Sequence, residues 1–220
     1  MQPKLKSEGK CIYCSQHIAK SQMNKHLGKH LIEKSGSTGK DPAYHVKIEC
    51  GEMFLHVLIK GAATFKTLDT FLRSIWLDCC GHMSEFEGAG MSNKFQDVAS
   101  PGDTYLYVYD MGSSTQLKVS VSGVYDIPMK EKIELLSRNE PLKIMCHVCH
   151  KKPAIAMCTI HMCESDEFMF CDTCTKKHEQ ECEDFSDYAN MPVVNSPRMG
   201  VCGYMGGHID KERDGVYAGK

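Results

Sequence analysis

No apolar run in this chain approaches the roughly 18 residues that a bilayer-spanning helix needs. The opening MQPKLKSEGK has no apolar core of a secretory leader. The phosphate loop G-x-x-x-x-G-K-[ST] and the nucleophile elbow G-x-S-x-G are both missing. No pair of carboxylates stands in a clear acid–base setting. The H-x-E and P-C-x-x-C signature of zinc deaminases is absent too, since His82 is followed by Met-Ser-Glu and Cys171 lacks the matching proline. Long disordered tracts are also excluded: 42% of residues are hydrophobic and 25% charged, which describes a folded chain. The expectation is a cytoplasmic protein whose thiols stay reduced.

Against these absences stand 13 cysteines in 220 residues. In a reducing compartment such a number points to metal before disulfides. Residues 11–30, CIYCSQHIAKSQMNKHLGKH, carry Cys11-x2-Cys14-x11-His26-x3-His30. A turn brings two thiolates to one ion, and histidines on successive helical turns complete a tetrahedron, the donor set of a CCHH zinc finger. Ile18 and Met23 sit where such a finger needs its small core. Residues 1–34 are therefore read as a zinc finger.

A second set fills 146–182. The knuckles Cys146/Cys149 and Cys171/Cys174 bracket it, and Cys158, His161, Cys163, His178 and Cys182 lie between and after them. The spacing predicts a cross-braced, two-zinc module over 141–190. Cys146, Cys149, Cys171 and Cys174 would take one ion. Cys158, His178 and Cys182 would take the other with either His161 or Cys163. Cys158-x2-His161 is the tighter clip; Cys163 offers the softer ligand. Three zinc ions are expected in all. Ligands are in surplus, whereas a catalytic zinc keeps an open position, so the sites read as structural.

Charge divides the chain. Residues 1–40 hold eight lysines and two glutamates, while 163–188 hold nine acidic residues and two lysines. A basic finger can touch a polyanion. The reading positions of its helix would be Ala19, Gln22 and Lys25, a poor set for sequence recognition. Weak contact with DNA or RNA through Lys20, Gln22, Lys25 and Lys29 is the expectation, with protein contacts elsewhere and no membrane. A purely protein-binding scaffold is the alternative. A second alternative is an enzyme using Cys80 and His82 of LDCCGHMSEF, a thiol beside an imidazole.

Between the two cysteine-rich ends, SGSTGKDP (35–42) reads as a linker. AYHVKIE and MFLHVLIK alternate around a GE turn, predicting a hairpin over 43–60. TLDTFLRSIWL has helical spacing with Thr67 as N-cap. HMSEFEG and KIELLS predict single strands, and PGDTYLYVYDMGSSTQLKVSVSGV predicts a second hairpin. The fold class is α+β over 43–140, mostly antiparallel sheet with one or two helices, flanked by small zinc-stabilised modules. Residues 191–220, with six glycines and two prolines, read as a tail lying on the surface or partly disordered.

The runs YHVKIE, LDTFLRSIWLDCCGHMSEFEG and GDTYLYVYDMGSSTQLKVSV together resemble the family named after the third open reading frame of a root-inducing plasmid, pRiA4b ORF-3-like. Its members are often labelled insertion-element passenger, TnpR-like proteins. The N-terminal finger, the late cysteine cluster and PVVNSPRMGVCGYMG resemble extensions of one branch. The resemblance implies a compact α+β domain and no settled activity. The chain departs from the family at Met111–Ser114, where Phe-Gly-Asp and a tryptophan are usual after Asp110.

Overall fold

The computed structural model describes residues 5–36, 40 and 42–207. The chain forms two compact units. One takes Lys6–Arg73 and His82–Glu140. The other takes Ser74–Gly81 and the described part of Pro141–Lys220.

The first unit opens with β1 (Glu8–Lys10), β2 (His17–Ala19) and α1 (Lys20–Lys34). β1 and β2 pair antiparallel, giving the ββα outline of a finger. A six-stranded antiparallel sheet follows, built from β3 (Pro42–Cys50), β4 (Met53–Lys60), β5 (Ser84–Phe86), β6 (Thr104–Tyr109), β7 (Thr115–Asp126) and β8 (Ile133–Arg138). Its strand order is β5-β6-β7-β3-β4-β8. The β3–β4 hairpin turns at Gly51, whose φ of 53° is the left-handed conformation that glycine adopts without strain. Both predicted hairpins and both predicted single strands are present, and the fold is α+β with an antiparallel sheet. β4 departs from the predicted alternation: seven of its eight residues, His56 among them, are buried, because both of its faces are covered.

Each face of the sheet has its own cover. On one, α1 lays Met23, Leu27 and Leu31, spaced one turn apart, onto Ala43, Phe54, Leu58 and Leu136. The finger thus shares its core with the sheet. Gly9 makes this approach possible: a Cβ there would collide with the Arg138 carbonyl oxygen and lie 2.8 Å from the Phe54 ring. Elsewhere in the unit, α2 (Phe65–Leu72) and α3 (Phe95–Val98) supply an aromatic core. Phe65 stacks on Phe95 at 4.4 Å and meets Phe86 and Tyr105 edge-on, each at 5.1 Å.

α2 starts earlier than the sequence predicts. Its N-cap is Thr64, not Thr67, and no side chain caps it. The free amides of its first turn are taken by distant carbonyls instead: Phe65 N–H donates to Asn93 O and Lys66 N–H to Met91 O. The helix then runs into a π-type turn, Arg73–Leu77, with Ile75, Trp76 and Leu77 buried.

The linker expectation falls partly on residues 37–39 and 41, which lie outside the described residues. Pro42 already belongs to β3, and Ser35 and Gly36 are tied to Asp126.

The second unit contains β9 (Ala156–Cys158), α4 (His161–Glu164), β10 (Met169–Phe170), α5 (Asp172–Glu181) and β11 (Asn190–Pro192). β10, β9 and β11 form a three-stranded antiparallel sheet. Much of its main core is cysteine: Cys146, Cys158, Cys171, Cys174 and Cys182 with Phe170 and Phe185. The expectation of a surface tail from 191 is corrected for its described part. β11 completes the small sheet, and Val194, Asn195, Ser196, Arg198 and Tyr204 are buried. Ser196 explains part of this, since its hydroxyl donates to the Trp76 carbonyl at 2.6 Å. Residues 208–220 lie outside the described residues.

Candidate metal centres

Cys11, Cys14, His26 and His30 come together with one donor atom each, all within 4.8 Å of one another. The β1–β2 turn presents both cysteines, and α1 presents both histidines. Cys14 Sγ lies 3.3 Å from His26 Nε2. Burial first, then the neighbouring His30 and Lys29, lower the His26 pKa and favour the neutral imidazole that a metal requires. Ser15, directly after Cys14, holds a left-handed φ of 60° that closes the turn.

The second unit holds two groups that interleave along the chain. Cys146, Cys149, Cys171 and Cys174 form one, again with donor atoms within 4.8 Å. Cys149 Sγ and Cys171 Sγ stand 3.7 Å apart. Bonds of about 2.3 Å to one tetrahedral zinc put sulfurs at about that separation. Backbone N–H groups of Lys151 and Lys152 hold the Cys149 thiol down at about 6, which readies a thiolate. Burial pushes Cys174 the other way, to about 12, so without a cation this cluster holds some of its sulfurs as thiols.

Cys158, His161, His178 and Cys182 form the other group. Cys158 Sγ lies 3.3 Å from His161 Nδ1. The structure brings His161 into the group and leaves Cys163 outside it, exposed on α4. The α4 turn explains the choice, because it carries the Cys163 side chain away from Cys158. His178 is sandwiched, stacked on Phe170 at 4.2 Å with Phe185 edge-on at 4.9 Å. Its buried Nε2 has no hydrogen-bond partner. A buried ring nitrogen without a partner costs free energy unless something occupies it, so the donor set fits a cation.

The proposed nucleic-acid residues divide. Gln22, Lys25 and Lys29 are exposed on the outer face of α1, opposite the Met23–Leu31 stripe. Lys20 is engaged inside the unit: its ammonium donates to the Gly51 carbonyl and lies 3.4 Å from Glu49. Ala19 is exposed just before the helix. Lys34, another finger cation, sits 4.8 Å over the Tyr13 ring.

Cys80 is poorly suited to nucleophilic work. Hydrogen bonding to Cys202, then the smaller cost of burial and the neighbouring Cys79, push its thiol up to about 11, the opposite of activation.

Two groups escaped the sequence reading. Asp69 is fully buried on α2, with Tyr107 Oη donating to it at 2.8 Å, Lys66 Nζ at 2.8 Å and Arg73 Nε at 3.0 Å. Burial opposes its ionisation, but these donors hold its pKa below the usual value. The other is the buried Arg198. Neither carries a local motif that could have announced it.

No family model matches the chain, and no curated protein matches it. Among solved structures it is similar to a crystal structure of a protein of unknown function, MM3350, from Methanosarcina mazei Go1. The identity is 16%, over 44% of this chain and 67% of that one, with a TM-score of 0.37. Among the described residues, no helix is long and apolar enough to cross a membrane.

Proposed function

We propose that the protein is a zinc-structured adaptor without catalytic activity, in which three zinc ions hold the finger and the second unit together. One observation carries this reading. Each of the three groups supplies four donor atoms within 4.8 Å of one another, a complete tetrahedral set with no position left for a reacting water. Bound there, zinc supplies cross-links that a small core of cysteines lacks, and no chemistry beyond that.

The adaptor's contact with nucleic acid is weak and runs through Lys25 and Lys29, with Gln22 beside them. The support is their exposure on the face of α1 turned away from the sheet. With Lys20 held by Glu49, only two finger-helix lysines are offered to phosphates along that face. The acidic second unit repels a polyanion and is assigned to protein contacts. Cysteines gathered as metal donors favour a reducing compartment, hence the cytoplasm. The plasmid-family resemblance belongs to the same proposal. Its runs fall on β3, α2, β5, β6 and β7 of the sheet unit, apart from Ser74–Gly81, which belongs to the other unit.

Binding of a labelled duplex or single strand across 50–200 mM salt tests the adaptor reading. Two lysines predict a logarithmic salt slope of about −2 on duplex DNA. Lys25→Glu with Lys29→Glu should remove the binding. Absent or salt-independent binding would leave the protein-binding scaffold as the better account.

A further inference from the structure

Three cysteines outside these groups meet within the second unit. Cys79 and Cys80 end the Ser74–Gly81 segment, and Cys202 lies more than 120 residues later. Cys80 Sγ stands 3.7 Å from Cys202 Sγ and 3.9 Å from Cys79 Sγ. The three sulfurs lie within 4.8 Å of one another. These spacings are those of sulfurs sharing one tetrahedral zinc, about 3.8 Å for bonds of about 2.3 Å, and are far from the roughly 2.0 Å of a disulfide.

Backbone and charge agree with a metal. Cys202 adopts φ 52° and Gly203 φ 65°, while Gly81, directly after Cys80, adopts φ 82°. Two of the three other groups show the same device: left-handed Ser15 follows Cys14, and left-handed His150 follows Cys149. Among the described residues the non-glycine positions with positive φ are Ser15, Asp110, His150 and Cys202. Three of the four thus sit at or beside a clustered cysteine. Arg198, fully buried, turns its Nη2 to Cys79 Sγ at 3.7 Å. Three thiolates on a divalent ion keep a net charge of −1, which suits a neighbouring guanidinium.

We propose that Cys79, Cys80 and Cys202 bind a fourth zinc ion, which staples the Ser74–Gly81 segment to the C-terminal end of its own unit. Three thiolates hold the ion, and water can take its fourth position. Cys80 and Cys202 are exposed, so this ion is the one solvent and chelators reach first.

Native mass spectrometry of the full chain, loaded with zinc alone and purified under reducing conditions, tests the site. Four ions per chain are expected, and three in Cys202→Ser. Cys80→Ser, at an exposed position, should give the same loss should Cys202→Ser fold poorly. Competition with a chelator should release one ion ahead of the rest in the wild-type chain, and this fast step should vanish in either variant. Three ions in the wild-type chain, unchanged by both substitutions, would overturn the fourth site while leaving the three-zinc reading intact. A Cys80–Cys202 disulfide persisting in reductant would overturn it as well. Fewer than three ions would strike the earlier reading instead.

Discussion

His45 Nε2 and His56 Nδ1 stand 2.9 Å apart in the buried interior of the sheet unit, one donating a hydrogen bond to the other. Both rings are essentially inaccessible, and Phe54 meets His56 edge-on at 5.7 Å. Burial lowers His45 to about 4 and lowers His56 as well, the latter helped by His45 and Lys47.

This pair makes stability depend on pH. The unfolded chain takes up protons near 6.5, while folded His45 resists until about 4. The contribution is therefore complete above pH 6.5 and is lost as pH falls from 6.5 toward 4. It amounts to about 3 kcal/mol for His45 alone. Urea midpoints across that window should fall with acid. His45→Leu combined with His56→Leu should flatten the part of the slope that zinc release does not cause. An unchanged slope in the double variant would refute the assignment.

Gly9→Ala should loosen the finger from the sheet without touching a ligand. The added methyl meets the Arg138 carbonyl, so β1 must shift. A cost of about 1–3 kcal/mol is expected for such overpacking. Zinc content should hold, while amides of β8 should exchange faster with deuterium. Full protection of β8 would show that the approach is not tight.

Asp69→Ala should destabilise the sheet unit by about 3 kcal/mol or more, because it leaves Arg73 and Lys66 beside an emptied buried site. Tyr107→Phe removes one hydrogen bond and should cost about 1 kcal/mol. Chemical denaturation of the two variants measures both. Equal costs would mean that the carboxylate is not the hub of this network.

Chelation should act unequally on the two units. The second has a core made largely of cysteines and should lose its structure with its metal. The sheet has Phe65, Phe86, Phe95 and Tyr107 to hold it, and hydrogen-exchange protection in β3, β4, β6 and β7 should outlast chelation. Simultaneous loss in both would contradict separate cores.

Patterns with short periods were legible before any coordinates. The GE turn between two strand-like runs announced the β3–β4 hairpin, and ligand spacing grouped Cys146 and Cys149 with Cys171 and Cys174. What escaped depends on distant partners. The first turn of α2 is satisfied by Asn93 and Met91 carbonyls, so no cap marks its start. Ser196 reaches back 120 residues to Trp76, which no composition of glycine and proline could foretell. Cys202 stands alone in the sequence, because its neighbours Cys79 and Cys80 are remote in the chain. His161 and Cys163 were equal on paper until the α4 turn separated them.

The lone tryptophan, Trp76, lies in sequence amid the strands of the sheet, yet its segment folds with residues that follow Pro141. Tryptophan emission will therefore watch the half with the cysteine-built core, whereas six of the nine tyrosines belong to the sheet half. Melting curves recorded by tryptophan and by tyrosine emission will weight the two halves differently.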